Sequence, residues 1–170
     1  MVDHIQENFS PETGLLPDFV MTASREDHTP RPADRDFLGG TADGSYSYNA
    51  GRVPWRFGVD ALLNGDERTL GQVRRMSSWI EESTGGNPAN IKAGYELDGE
   101  PLPDADYFST FFAAPFAVAA MTNPDQQAWL DDLYGSVRVS DEEYYEDSVS
   151  LLCLLALTGA FWDPTLPMGG

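Results

Sequence analysis

The chain is poor in lysine and rich in acidic residues. Lys92 is the single lysine among ten basic residues, which face 28 aspartates and glutamates, so the formal net charge is −18. Nucleic acids and anionic membrane surfaces carry negative phosphates, and this charge excludes them as favourable partners. The same composition fits a salt-adapted surface or ordinary acidic solubility with arginine in place of lysine, and both interpretations stay open.

Cysteine and histidine are also scarce. Cys153 is the single cysteine, which excludes a disulfide framework within the chain, and its apolar setting "SLLCLLAL" predicts a small buried side chain. His4 and His28 have no second histidine or cysteine at ligand spacing. The acidic residues at 141–147 lie at an expected helix start, where negative charge is favourable. No metal and no cofactor are therefore expected.

Long apolar runs are missing as well. The longest run, residues 151–157, is far shorter than the roughly 20 residues that cross a bilayer. The first residues, "MVDHIQENFSPETG", have neither the basic start nor the apolar stretch of a signal peptide. No membrane partner is expected, and an export signal is either not encoded or lies in sequence outside this chain.

The apolar residues that are present predict an all-α chain. At 170 residues and 41% hydrophobic composition, a single domain over residues 1–170 is expected. Apolar spacing and start and stop signals predict no strand and six helices. The helices are expected at about residues 2–9, 54–64, 66–83, 115–121, 124–137 and 142–159.

Individual residues set the expected helix ends. Pro54 suits a first helical turn and Gly65 a left-handed closing residue, while Pro115 is taken as the start of the fourth helix. The sixth helix is apolar almost all round, which predicts burial. The long irregular stretch at 10–47 is expected to be functional or disordered.

Five ordered motifs carry a family resemblance. They are "TGLLPDF" (13–19), "DGSYSYNAGRVPWR" (43–56), "AGYELDGEPL" (93–102), "YFSTFFAAPFAVAAM" (107–121) and "YYEDSVSLLCLLALTGAFW" (144–162). In this order they resemble the C-terminal half of glycoside hydrolase family 8. The resemblance implies about half of an (α/α)6 barrel, an α/α toroid whose closure would come from dimerisation or from an N-terminal half.

The resemblance also implies a mechanism and shows where the usual groups are absent. Family members invert the anomeric centre with an acid and a base whose carboxyls are about 6.5 to 9.5 Å apart. The acid is a glutamate of the N-terminal half. The base is an aspartate at the position of Asn49 or, in the subfamily with asparagine there, a loop glutamate that aligns with Gly39. An amide cannot take a proton from water at a useful rate.

Other carboxylates are alternatives for the base. Asp43 lies in the same loop as Gly39 and is a candidate, although its "ADG" context is also typical of a turn residue that binds its own backbone. Glu96 or Asp98 would belong to a rearranged carboxylate set. Together with Asn49, Arg52 is expected at the catalytic position, where its guanidinium suits a carboxylate or adjacent hydroxyls, with a structural ion pair as the alternative.

The remaining site candidates are expected to contact sugar. They are Asp18, Phe19, Tyr46, Tyr48, Arg56, Tyr144 and Tyr145. An aromatic ring offers sugar a flat apolar face, but tyrosines also fill loop cores, and at least one of the last two is expected to pack. Arg56 has a second interpretation, an ion pair with Asp60 one helical turn away. Trp55 lies on the apolar stripe of its helix and is expected in the core.

The resulting expectation is a hydrolase-like protein acting on β-linked glucan, such as cellulose, mixed-linkage glucan or a related polysaccharide. By resemblance it would be an inverting endo-hydrolase located outside the cell or in the periplasm. The alternative is a non-catalytic carbohydrate-binding or scaffolding half-barrel, since both base positions are empty. A homodimer or an N-terminal half is the expected protein partner.

Overall fold

The computed structural model describes residues 1–161, and its framework is helical. The helices of this part are α1 (Val2–Asn8), α2 (Val53–Asn64), α3 (Glu67–Thr84), α4 (Thr110–Ala120), α5 (Gln127–Val137) and α6 (Tyr144–Leu157). Short 3₁₀ turns lie at Ala50–Arg52, Pro88–Asn90 and Pro124–Gln126. The all-α prediction is confirmed. Trp162, the last residue of the fifth motif, lies outside the described residues.

Two short strands interrupt the expected irregular stretch at 10–47. Strands β1 (Val20–Thr22) and β2 (Pro30–Pro32) pair antiparallel, with Met21 opposite Arg31. The prediction that no strand is present was wrong here. Each strand has only three residues, and two of those in β2 are prolines, so neither shows the alternating pattern by which a strand is recognised.

Helix α4 is the centre of the fold. All 11 of its residues are buried, and α2, α3, α5 and α6 all pack against it. Because the helix is apolar on every side, it can bury its whole surface only when it is surrounded by other elements. The segment that precedes α2 also packs on α4, which fixes the candidate site to the core of the chain.

The predicted start of α4 at Pro115 was wrong. The helix begins at Thr110, capped by the Ser109 side chain, and Pro115 lies inside it. A proline within a helix removes one backbone hydrogen bond and costs about 3 kcal/mol. Complete burial of the helix and an additional cap from Glu142, which accepts a hydrogen bond from the Thr110 N–H at 2.6 Å, offset this cost.

The ends of α2 and α3 follow their sequence signals. Pro54 lies in the first turn of α2, and Gly65 closes the helix in the left-handed conformation with φ of 65°. Asp66 then caps α3 by accepting a hydrogen bond from the Thr69 N–H at 2.7 Å. These boundaries depend on local chemistry, and the predictions for α2 and α3 agree with them to within about one residue.

The expectation that α6 is buried all round was wrong. Its Val149 and Cys153 are buried towards the core, as predicted for the cysteine, whereas Leu151 and Leu152 are 59% and 40% exposed. The face that contains these leucines has no covering element in residues 1–161. Within the described part of the chain, none of the helices combines the length and the apolar character that a bilayer crossing requires.

Candidate functional site

One carboxylate joins two distant segments at the candidate site. Oδ1 of Asp18 accepts hydrogen bonds from the Ser47 N–H at 3.0 Å and from the Ala50 N–H at 2.7 Å. These two donors flank the start of the 3₁₀ turn Ala50–Arg52 that leads into α2. The first motif is thereby tied to the second, although 29 to 32 residues separate the bonded groups.

Asn49 lies between a carboxylate and a guanidinium. Its Nδ2 donates to Oδ2 of Asp18 at 3.3 Å, and its Oδ1 accepts from Nη2 of Arg52 at 3.2 Å. Nε of Arg52 also donates to the backbone carbonyl of Asn49 at 3.3 Å. The structure therefore brings together Asp18, Asn49 and Arg52 in one hydrogen-bonded row.

The surroundings of Asp18 affect its protonation. Burial raises the pKa of the Asp18 carboxyl above its ordinary value of 3.8, while the hydrogen bonds from Ala50, Asn49 and Ser47 act in the opposite direction. Burial is the larger effect, because removing a carboxylate from water disfavours its charged form. The Asp18 carboxyl beside Asn49 is thus easier to protonate than an ordinary aspartate.

Tyr48 marks the junction of two clefts. Its hydroxyl lies 3.1 Å from that of Tyr107, and both rings line each cleft. The smaller cleft, of about 220 Å³, also includes Arg35 and Glu96, whereas the larger, of about 580 Å³, is lined by the acidic residues that precede and begin α6. Burial, with a smaller effect of the Tyr107 hydrogen bond, raises the pKa of Tyr48 well above its ordinary value of 10.

An aromatic row supports Tyr48. Its ring lies 5.0 Å from that of Phe111, and the Phe111 ring stacks on Tyr145 at 5.3 Å with an interplanar angle of 25°. Tyr145 packs on Phe111 and remains 42% exposed. Tyr144 is 88% exposed. The expectation that one of these two tyrosines packs therefore agrees with the position of Tyr145.

The three alternative carboxylates have different positions. Glu96 lines the smaller cleft, and its Oε2 accepts a hydrogen bond from the Ser45 hydroxyl at 2.7 Å. Asp98 is exposed and accepts from the Glu100 N–H at 3.2 Å. Asp43 is only 5% exposed. Among these, Glu96 is the carboxylate that shares a cleft with Tyr48.

Asp43 organises the loop that carries Gly39. Its Oδ2 accepts from the Leu38 N–H at 2.6 Å and from the Gly40 N–H at 3.3 Å. These hydrogen bonds are those expected of a turn residue that binds its own backbone, the alternative to a catalytic base. Gly39 itself has φ of +99°, and a Cβ there would have no heavy atom within 4 Å.

Tyr46 lies in the core and away from any ligand surface. Its side chain is fully buried against the rings of Tyr95, Phe112 and Phe116. Its hydroxyl has no hydrogen-bond partner within residues 1–161. Sugar cannot reach this side chain, so Tyr46 does not fit the sugar contact that was expected of it.

The side chains of Arg56 and Phe19 take no part in the hydrogen-bonded row of Asp18, Asn49 and Arg52. The Arg56 guanidinium carbon lies 3.9 Å from the ring centroid of Trp55, a cation–π contact. The expected ion pair of Arg56 with Asp60 is not formed, and Asp60 instead accepts from Asn64. Trp55 is buried, as predicted. Phe19 is half-buried, and its N–H donates to the Asp43 carbonyl.

Tyr107, Phe111 and Glu142 are the site residues that sequence reasoning missed. The first two lie in the fourth motif, before the helix start that was expected at Pro115, and no site role was assigned to them. Glu142 belongs to the acidic cluster at 141–147, which was attributed to the start of a helix. Among residues 1–161 no group of three or more histidine, cysteine, aspartate or glutamate side chains is arranged to hold a metal ion.

The fold is that of part of an α/α toroid, and it matches a solved glucanase. The β-1,3-1,4-glucanase of Paenibacillus sp. X4 superposes with a TM-score of 0.89 at 42% identity, over 95% of this chain and 42% of that one. The predicted half-barrel is therefore confirmed as a fold. No protein-family model matches the chain.

Two curated relatives are similar over nearly the whole chain. A β-glucanase of Niallia circulans is 42% identical over 163 residues, which is 95% of this chain and 39% of the relative. An endoglucanase of Bacillus sp. strain KSM-330 is 38% identical over 157 residues, which is 92% of this chain and 32% of the relative. The chain is thus related to glucanases, and it spans between about a third and two fifths of their length.

Proposed function

We propose that this chain forms one side of the active-site cleft of an inverting β-glucan hydrolase of glycoside hydrolase family 8. It would correspond to the C-terminal half and to the subfamily with asparagine at the usual aspartate position. The observation that carries the proposal is the similarity to named glucanases over nearly all of the chain. The row of Asp18, Asn49 and Arg52 beside the exposed aromatic residues supports it.

The chemistry of the clefts suits a neutral, hydroxyl-rich polymer. The rings of Tyr107 and Tyr145 provide partly exposed apolar faces, and the Arg35 and Glu96 side chains provide donors and acceptors for sugar hydroxyls. The negative rim disfavours anionic polysaccharides. Mixed-linkage β-glucan or cellulose is the proposed substrate class, and since such polymers lie outside cells, an extracellular or periplasmic location is proposed.

Hydrolysis requires a base that neither usual position supplies. We assign this task to Glu96, because it lines the cleft with Tyr48 while Asp43 is buried in backbone contacts. Glu96 would remove a proton from the attacking water as the leaving oxygen is protonated by an acid across the cleft. A second helical unit, either an N-terminal half or another copy of the chain, would carry that acid.

A second candidate function is glucan binding without hydrolysis. It is favoured by the amide at Asn49 and the glycine at Gly39, which leave both usual base positions without a titratable group. In this case the clefts and the aromatic row would hold sugar, and Glu96 would serve only as a hydrogen-bond acceptor.

Reducing-sugar release and calorimetry separate the two candidates. The chain is assayed with mixed-linkage β-glucan, cellulose and xylan, alone and mixed with the part of the Niallia circulans β-glucanase outside the matched region, and its solution mass is measured. Hydrolysis that is lost in Glu96→Gln but kept in Glu100→Gln supports catalysis. Binding without release supports the second candidate, and absence of both contradicts the proposed function.

A further inference from the structure

We propose that Asp18 is a positioning residue that fixes the amide of Asn49 and, through it, the guanidinium of Arg52. Asp18 was expected to bind substrate, but its carboxylate accepts three protein donors, the Ser47 N–H, the Ala50 N–H and Nδ2 of Asn49. Its role in binding or catalysis therefore rests on the proposed function of the cleft, whereas the positioning role is a property of the chain itself.

The amide of Asn49 has one orientation that satisfies both neighbours. A carboxylate only accepts hydrogen bonds and a guanidinium only donates them. With Nδ2 towards Asp18 and Oδ1 towards Arg52, every group in the row meets a complementary partner. A rotated amide would set oxygen against carboxylate and donor against donor, so Asp18 selects the orientation that Arg52 requires.

Asp18 is itself held on its backbone side. Its N–H donates to the Ser45 carbonyl at 2.8 Å, and the next N–H, of Phe19, donates to the Asp43 carbonyl at 2.9 Å. Asn49, by contrast, is exposed and lies just outside the 3₁₀ turn. The carboxylate is thus the fixed end of the row and the Arg52 guanidinium the end that faces solvent.

Asp18→Asn tests this role because it changes one end of the row and little else. Its amide oxygen can still accept from Ser47 and Ala50, while its NH₂ group faces the NH₂ group of Asn49. In ¹H–¹⁵N spectra of the full chain without sugar, the Asn49 side-chain amide and the Arg52 Nε–H signals are expected to shift and broaden. Asp66→Asn, at the cap of α3, is the matched control and should leave both signals unchanged.

The exchanged pair, Asp18→Asn with Asn49→Asp, restores complementary partners. The new amide donates to the new carboxylate, which accepts from Arg52, so the Arg52 Nε–H signal is expected to become sharp again, at a position set by the new carboxylate. Arg52 then has an acceptor held by a donor at position 18, as in the original chain. Recovery of a sharp signal in the exchanged pair supports positioning, and broadening that persists unchanged would overturn it.

A pH titration of the original chain tests the same proposal without a variant, so the result does not depend on whether a variant folds. Protonation of Asp18 should move the Asn49 and Arg52 signals with the same midpoint as the Asp18 carboxyl carbon. Independent midpoints, or no response in either signal, would contradict the proposal. Circular dichroism of each variant at neutral pH verifies that the helices are intact.

Oligosaccharide titration distinguishes failure of the inference from failure of the proposed function. If the cleft binds glucan, Asp18→Asn is expected to weaken affinity about ten-fold, in line with loss of one hydrogen bond to a charged group, and Asp66→Asn is not. If the Asn49 and Arg52 signals respond to Asp18→Asn but no glucan binds, Asp18 is a positioning residue and the proposed glucan-binding function of the cleft is rejected. Binding that is indifferent to Asp18→Asn, with no spectral coupling, would reject the positioning role alone.

Discussion

The phenolic oxygens of Tyr48 and Tyr107 lie 3.1 Å apart where the two clefts of the site meet. Fifty-nine residues separate them along the chain, so the contact forms only when these two distant segments pack together. The hydrogen bond between the two hydroxyls is exposed to solvent.

A double-mutant cycle measures the strength of this contact. Tyr48→Phe and Tyr107→Phe are each expected to lower the free energy of unfolding, with a coupling energy of about 0.5–1.5 kcal/mol, since a net intramolecular hydrogen bond has that value. Urea unfolding of both single variants and the double variant supplies the coupling. Additive effects would mean that the two hydroxyls do not interact in solution.

Gly51 is expected to tolerate no side chain. A Cβ there would lie 2.6 Å from the ring of Phe111 and 3.0 Å from that of Phe112, so Gly51→Ala must displace the 3₁₀ turn from α4. We expect a loss of about 1–3 kcal/mol in the free energy of unfolding. Gly71→Ala is the control, since α3 offers open space there and the change should stabilise by about 0.4–1 kcal/mol. Thermal melts with equal shifts for both variants would refute the close contact.

Gly39→Glu places a carboxylate at the base position that the family resemblance implies. The side chain has room, but φ of +99° is strained for any residue other than glycine and costs about 1–3 kcal/mol. Gly39→Ala carries the same strain without the carboxylate. We expect equal losses of stability in both variants, with increased glucan hydrolysis only in Gly39→Glu once the acid-bearing unit is supplied. Increased hydrolysis in both would exclude a role for the new carboxylate.

Glu142 holds the start of α4 to the segment that begins α6. Its carboxylate accepts from the Ser109 hydroxyl at 2.8 Å and from the Thr110 N–H at 2.6 Å. Glu142→Ala is expected to lower the free energy of unfolding by about 1–3 kcal/mol, the cost of leaving buried donors unpaired. Glu143→Ala removes the same charge from the adjacent residue, which makes no capping hydrogen bond, and should have little effect in urea unfolding.

Asp18 is expected to make stability depend on pH in a defined direction. Its pKa is raised by burial above the ordinary 3.8, so its stabilising contribution is fully present below pH 3.8 and is lost as the pH rises through the folded-state pKa. The free energy of unfolding of the original chain, minus that of Asp18→Asn, should therefore increase as the pH falls through this window. Chemical denaturation at several pH values checks the sign, and the opposite slope would show that hydrogen bonding outweighs burial.

Local signals in the sequence were sufficient to predict the ends of α2 and α3. They failed for the start of α4, which depends on a residue distant in sequence. Pro54, Gly65 and Asp66 act on their own helix ends, so a single stretch contains the information. The start of α4 depends on Glu142, which is 32 residues from Thr110. Pro115 was consequently given the role that Ser109 and Glu142 perform together.

The sequence grouped some residues of the candidate site, but it did not predict the contacts between distant segments. The second motif placed Asn49, Arg52 and Tyr48 close together, and the structure keeps them so. That Asp18 contacts Asn49 depends on closure of a 31-residue segment, for which no sequence pattern exists. Burial of Tyr46 depends on rings from the segments containing Tyr95 and Phe112, so the second motif alone does not show that this side chain lies in the core.

The loop around Gly39 and the row around Asn49 are held by different carboxylates, Asp43 and Asp18. The side-chain contacts of Asp43 are to Leu38 and Gly40, within its own loop, and the row does not use them. The side chains of the loop are consequently independent of the row, and the two are joined through the backbone, where the Asp43 carbonyl accepts from the Phe19 N–H. We expect that a sequence with a glutamate can be grafted between residues 36 and 43 while the row of Asp18, Asn49 and Arg52 stays unchanged, provided that this backbone contact is kept. The carboxylate content of the loop is then an evolutionary and engineering variable separate from the row.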